Sequence, residues 1–269
     1  MNVNEFMDTV PEDSERKWAQ RIPEPEVMDD AAENAAYDRI ATRWLGKVIY
    51  PALIKELNPE STKHILDVCS GSGRLALALM QMLPGATICG ADLSPSMLDL
   101  ARAHTEFVGV TGRVEFHLED VAATSFDDDQ FDAAISYGSL HHWQNPQAVF
   151  AELARVVRPG GQILIGDWRR DPVPLHFFNS LRGTLECSLI EASVRAAYRV
   201  DEVTAMLEPL ASVCEWQVAQ HAMGLLIRGH VLATPKCLKI NQGSDVHCPV
   251  PHSPSQVAQR IGGIKNAEP

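Results

Sequence analysis

The sequence predicts an α/β fold: a mostly parallel seven-stranded sheet with helices on both faces and an antiparallel hairpin at its end. Five short apolar runs, His64–Val68, Ala86–Ala91, Val114–His117, Phe131–Tyr137 and Gln162–Asp167, read as buried strands. Helical patterns at Arg74–Leu83, Pro95–His104 and Pro146–Val157 fall between them, the rhythm of parallel strands joined by crossover helices. Two further runs, Val213–Gln220 and Gly224–His230, are separated by a short connection around Ala222-Met223-Gly224, which fits a hairpin.

The flanking regions differ in character. Residues 1–30 are polar and acidic, with Pro11, Pro23 and Pro25 interrupting any long helix. From Asp30 to Leu57, Ala36, Tyr37, Ile40, Trp44, Val48 and Leu53 recur near helical spacing, and Pro51 marks a kink or a new start. After Asp167 the patterns at Leu175–Leu189 and Val200–Leu210 are helical. From about Leu232 to Pro269, Pro, Gly, Ser, Asn and Gln dominate without periodicity, the composition of a loosely attached tail. The expected organisation is an N-terminal helical region over 1–60, a central domain over 61–231 with an insert at 168–212, and a flexible tail over 232–269.

Bulk properties narrow the function. The net charge of −12 argues against nucleic acid, which needs clustered Lys and Arg, so a small molecule is the expected partner. No window approaches an apolar membrane span, and the acidic start lacks the pattern of a signal peptide; the chain reads as cytoplasmic. Six scattered cysteines without CxxC spacing read as reduced thiols. Cys237, His247, Cys248 and His252 fit no standard zinc spacing, and no metal is expected.

The first strand runs into Cys69-Ser70-Gly71-Ser72-Gly73 and then directly into a helix. Glycines at such a turn let backbone approach a ligand, in the crevice where open α/β sheets bind them. Asp92, at the tip of the second strand, suits a ribose diol. Gly71-Ser-Gly73-Arg-Leu-Ala76 also fits the dinucleotide pattern G-x-G-x-x-A, with Asp92 lying 19 residues beyond Gly73. Asp67 favours another cofactor. Its carboxylate is poorly placed beside a pyrophosphate and well placed for an ammonium group.

Taken in order, ILDVCSGSGRLALAL, GADLSPSMLDLAR, FHLEDVAATSFDDDQFDAAIS and RVVRPGGQILIGD resemble the successive motifs of class I S-adenosylmethionine-dependent methyltransferases, particularly those acting on small molecules (the methyltransferase type 11 group). The resemblance covers about 100 residues and implies a Rossmann-like sheet. Cys69 departs from it, standing where that family usually has Gly; a cysteine fits there if the backbone needs no positive φ.

That resemblance implies S-adenosylmethionine as cofactor. Asp67, Cys69, Gly71 and Gly73 would border its methionine moiety, Asp92 its ribose, and Leu93 and Met97 its adenine. Asp120 and the Val121 backbone would meet the adenine amino group, and Tyr137 would lie beneath the sulfonium. The helix bearing Tyr37 and Trp44 resembles an N-terminal lid, with Tyr37 over the cofactor. His142 and His141 are candidate general bases, since histidine titrates near neutrality. Trp44, Trp143, Trp168, Arg169 and Phe177 are candidates for the acceptor pocket. Arg169 or Arg170 would pair with an acceptor carboxylate or phosphate.

The expected activity is SN2 methyl transfer to a small molecule, with a homodimer as the candidate assembly. The competing readings are an NAD(P)-dependent oxidoreductase and a methyltransferase fold used for a non-methylating reaction.

Overall fold

The computed structural model describes residues 20–58, 60–110, 112–170, 183–221 and 224–233. The expected helix over Leu175–Leu189 falls partly outside these residues. The C-terminal tail, with its Cys and His residues, lies outside them from residue 234.

Seven strands form one sheet: β1 His64–Val68, β2 Thr87–Asp92, β3 Val114–Leu118, β4 Phe131–Tyr137, β5 Val157–Trp168, β6 Cys214–His221 and β7 Gly224–Val231. Their order is β3-β2-β1-β4-β5-β7-β6, and β7 runs antiparallel to both its neighbours. The order reverses between β1 and β4, so the crevice above their carboxyl ends is the natural ligand site. Side chains alternate across the sheet. Ile65, Ile135 and Leu164 join one core layer, whereas Leu66, Ala134, Ile163 and Ile165 join the other.

The helices are α1 Ala31–Ile40, α2 Tyr50–Ile54, α3 Arg74–Met82, α4 Pro95–Val108, α5 Pro146–Val156, α6 Leu185–Ala196 and α7 Val200–Leu207. Their starts follow local rules. Asp30 caps α1 by accepting the Ala32 and Glu33 N–H groups, and Ser94 and Asn145 cap α4 and α5 ahead of Pro95 and Pro146. The first core layer collects residues of α1, α2, α3 and α6, and the second collects residues of α5 and α7.

Three boundaries differ from expectation. The segment from Asp30 to Leu57 has the new start expected at Pro51, which stands in the first turn of α2, but a π-helical stretch, Ala41–Ile49, which was not expected, separates α1 from α2. Strand β5 begins at Val157, not Gln162, because the Arg158-Pro159-Gly160-Gly161 segment forms an irregularity. Phe131 pairs with Val157, yet Ala133 already pairs with Gln162. Helix α6 starts only at Leu185, after Gly183 at φ +75° and the capping residue Thr184. Among the described residues no helix is long and apolar enough to cross a membrane.

Candidate active site

A cleft of about 640 Å³, counted with its open mouth, lies over the carboxyl ends of β1, β2 and β4. A smaller recess of about 280 Å³ adjoins it, sharing Tyr37, Cys69 and Gly71.

The loop after β1 shapes the floor. Cys69 has φ +54°, Gly71 +51° and Gly73 +75°, so the turn is left-handed at three points. The condition under which cysteine fits this loop is therefore not met: Cys69 occupies the left-handed region, which costs a side chain about 1–2 kcal/mol. Its thiol compensates in part, accepting from Trp143 Nε1 at 3.4 Å. Burial, then the charge of Asp92, push the thiol pKa up against hydrogen bonds from Trp143 and Ser139, so Cys69 is no nucleophile. At Gly73 a Cβ would come within 2.9 Å of Ala101 Cβ, so only glycine lets α3 pack this closely.

Two carboxyls face the ligand space. Asp67 is buried at the end of β1, and its Oδ2 has no hydrogen-bond partner. Burial, followed by the charge of Asp92, raises its pKa well above the usual carboxylate range despite the Ala76 N–H. Asp92 accepts from Gly71 N–H at 2.8 Å and Ser94 N–H at 2.9 Å while bordering the cleft. Burial raises its pKa too, opposed by those backbone donors. Arg74 lines the smaller recess, and both its Nε and Nη2 are engaged by Asp38 at 2.8 Å.

The walls come from several elements. Leu93, Met97 and Val121 border the cleft, as do Cys69, Gly71, His142 and Trp143. Tyr37 spans both cavities, and its hydroxyl lies so near Gly138 that a Cβ there would be 3.3 Å from it. Tyr137 borders the smaller recess, edge-on to Tyr50. Asp120 is buried and accepts the Ala122 N–H at 2.9 Å; the cleft-lining acid beside it is Glu119.

Other predicted residues sit away from the cleft. Trp168 packs into the first core layer, Arg169 is buried and bridges to Tyr198, and Arg170 pairs with Glu202. Phe177 lies outside the described residues, as does the side chain of Trp44.

The two histidines have unequal surroundings. His141 is buried, its Nδ1 2.8 Å from Asp167 Oδ1 and its Nε2 3.3 Å from Glu24 Oε2. Burial alone would lower its pKa, but Asp167 and then Glu24 outweigh it and hold it at about 9. His142 donates from Nδ1 to the Pro25 carbonyl at 2.8 Å, which leaves its lone pair on Nε2. Burial and then the charge of His141 bring its pKa down to about 4.

Sequence reading missed Glu24, Pro25, Glu26, Met28, Ser139 and Asp167. The first four belong to the strap over residues 20–30. The strap is pinned by Arg21, whose guanidinium donates to the His141 carbonyl at 2.7 Å and stacks on Tyr198, and by Ser94 Oγ donating to Met28 O at 2.9 Å. No periodicity signals such a segment. Asp167 had a detectable position, the tip of β5 beside the site.

Comparison with known proteins agrees with this geometry. Residues 66–165 match the family model described as a methyltransferase domain. The ubiquinone/menaquinone biosynthesis C-methyltransferase UbiE of Paracoccus denitrificans is 30% identical over 153 residues, 53% of this chain and 61% of that protein. A demethylmenaquinone methyltransferase of Thermus thermophilus is 35% identical over 130 residues, 48% of this chain and 56% of that protein. This chain thus spans about three fifths of these curated relatives. A SAM-dependent methyltransferase structure from Aquifex aeolicus shares the fold at TM-score 0.60 and 17% identity, covering 74% of this chain and 98% of that one. Over residues 66–165, 100 of its 269 residues, the chain is thus similar to a methyltransferase domain.

Proposed function

We propose that this protein binds S-adenosylmethionine in the cleft and transfers its methyl group to a small-molecule acceptor. The carrying observation is the buried Asp67 carboxyl, whose Oδ2 lacks a partner. An ammonium group supplies the counter-charge that such a buried carboxylate requires. A dinucleotide's pyrophosphate would instead meet Asp67 and Asp92 with Arg74 already committed to Asp38, which disfavours the oxidoreductase reading.

When bound, the sulfonium supplies an activated methyl group for in-line displacement. The chain's own residues orient and shield. Asp92 retains lone pairs toward the cleft for a ribose diol, while Leu93, Met97 and Val121 offer an apolar slot for an adenine. Tyr37 covers the junction of the two cavities and excludes water there. His142 borders the cleft where an acceptor would stand, its ring fixed by the Nδ1 hydrogen bond to the Pro25 carbonyl.

The Paracoccus relative is named for ubiquinone and menaquinone biosynthesis and the Thermus relative for demethylmenaquinone, which favours a phenolic or quinol acceptor. The net charge of −12 disfavours a nucleic-acid partner, and the acceptor proposed is a small molecule met in the cytoplasm. The homodimer reading is checked by sedimentation. Methyl transfer is tested with isotopically labelled S-adenosylmethionine against a panel of hydroxylated aromatic and quinol acceptors. Labelled product from the wild type, absent with Asp92→Ala, supports the reading. Cofactor binding without any labelled product indicates a fold used for a non-methylating reaction.

A further inference from the structure

We propose that Glu24, His141 and His142 form a site for one first-row divalent transition-metal ion beside the cofactor cleft. Among the described residues they are the one group of three such side chains whose donor atoms all lie within 4.8 Å of one another. The sequence does not signal the site, because its carboxylate and its imidazoles are 117 residues or more apart.

Three features point to a metal. Glu24 Oε2 stands 3.3 Å from His141 Nε2 and 3.7 Å from His142 Nε2. These separations exceed an ordinary N–H···O bond, about 2.7–3.2 Å. They bracket the edge of a tetrahedron with bonds of about 2.0–2.1 Å, roughly 3.4 Å. Next, both imidazoles are oriented from behind. His141 Nδ1 faces Asp167 at 2.8 Å and His142 Nδ1 donates to the Pro25 carbonyl at 2.8 Å, leaving both Nε2 atoms turned to Glu24. Metal-binding histidines are commonly held by such a carboxylate or backbone carbonyl. Finally, Glu24 Oε2 and His141 Nε2 are buried and face each other at 3.3 Å, yet neither makes a bond of hydrogen-bond geometry, which leaves room for an ion between them.

Two nitrogens and one carboxylate favour Zn²⁺, Co²⁺ or Fe²⁺ over Mg²⁺ and Ca²⁺, which prefer oxygen. Three protein ligands leave a position for water or another ligand, and His142 borders the cleft. Occupancy of the site follows from the side chains alone; its use in holding an acceptor oxygen rests on the proposed methyl transfer.

The test is titration of the chelator-stripped full chain with Co²⁺, followed by Zn²⁺ competition. Expected are one equivalent of Co²⁺ with the intense visible absorption of a low-coordinate site, bleaching on Zn²⁺ addition, and a raised Tm with Zn²⁺. His142→Ala and Glu24→Gln each weaken the metal by more than ~100-fold, beyond what loss of an orienting partner costs. Unchanged far-UV circular dichroism and cooperative thermal unfolding of the metal-free variants report that they fold. Asp92→Ala keeps the metal, separating this site from the cofactor. Cys237→Ser/Cys248→Ser keeps it also, excluding the tail. Absence of stoichiometric Co²⁺ binding, or binding unchanged in His142→Ala and Glu24→Gln, overturns the proposal. In that case Glu24, His141 and Asp167 form an ion triad only.

Discussion

At Asp67 the requirements of folding and of binding oppose each other. Its carboxyl is buried with an unpartnered oxygen, and its pKa is raised first by burial and then by Asp92. A raised carboxyl pKa means that the folded chain binds the extra proton. The stability from Asp67 is therefore greatest below its ordinary value of 3.8 and is lost as pH rises from there through the raised value. Asp67→Asn removes that loss. Thermal unfolding of the ligand-free variant at neutral pH is expected about 2–4 °C above wild type, for a gain of about 1 kcal/mol. The same variant loses about 10- to 100-fold in S-adenosylhomocysteine affinity, the value of one charge-assisted hydrogen bond. An unchanged Tm together with unchanged affinity would show that Asp67 bears neither burden.

Cys69 is legible only in retrospect. The sequence marks it as a departure, but neither its positive φ nor its contact with Trp143, 74 residues away, is revealed by sequence spacing. Cys69→Ala keeps the strained backbone and loses the thiol contact, whereas Cys69→Gly relieves the strain. Urea unfolding is expected to rank Cys69→Ala about 1 kcal/mol below Cys69→Gly. The reverse order would mean that the loop is held by something other than its φ angles.

At the scale of elements, α1 is clasped to α3. Arg74 donates twice to Asp38, and His104 Nδ1 lies 2.9 Å from Ser72 O in the intervening loop. This clasp holds Tyr37 over Gly138. Asp38→Ala is expected to speed amide exchange in Ala31–Ile40 about tenfold, equivalent to about 1.4 kcal/mol, and to weaken cofactor binding in parallel. Faster exchange with unaltered binding would show that α1 is no lid. Helix α1 itself was readable, since its cap and apolar spacing are local signals. The π-helical stretch and the strap over residues 20–30 were not. Both are set by tertiary packing, and Glu24 meets His141 only after the sheet has formed.

For the whole molecule, strand positions, the terminal hairpin and the two-faced packing were all written in local alternation. The order of the strands, β3-β2-β1-β4-β5-β7-β6, comes from the structure. What distance along the chain concealed was the assembly around the histidines: Asp167 with His141, and Glu24 with both His141 and His142. Trp168 and Arg169 illustrate the limit from the other side. Their sequence position beside the site suggested a substrate wall, yet both are buried away from the cleft.

The central claim is that the cleft holds S-adenosylmethionine, and calorimetry with S-adenosylhomocysteine tests it most directly. The wild type is expected to bind in the micromolar range and Asp92→Ala at least about 100-fold more weakly, the loss of two charge-assisted hydrogen bonds, while NADH gives no binding heat. No S-adenosylhomocysteine binding by the wild type, or NADH binding that Asp92→Ala abolishes, would contradict the account.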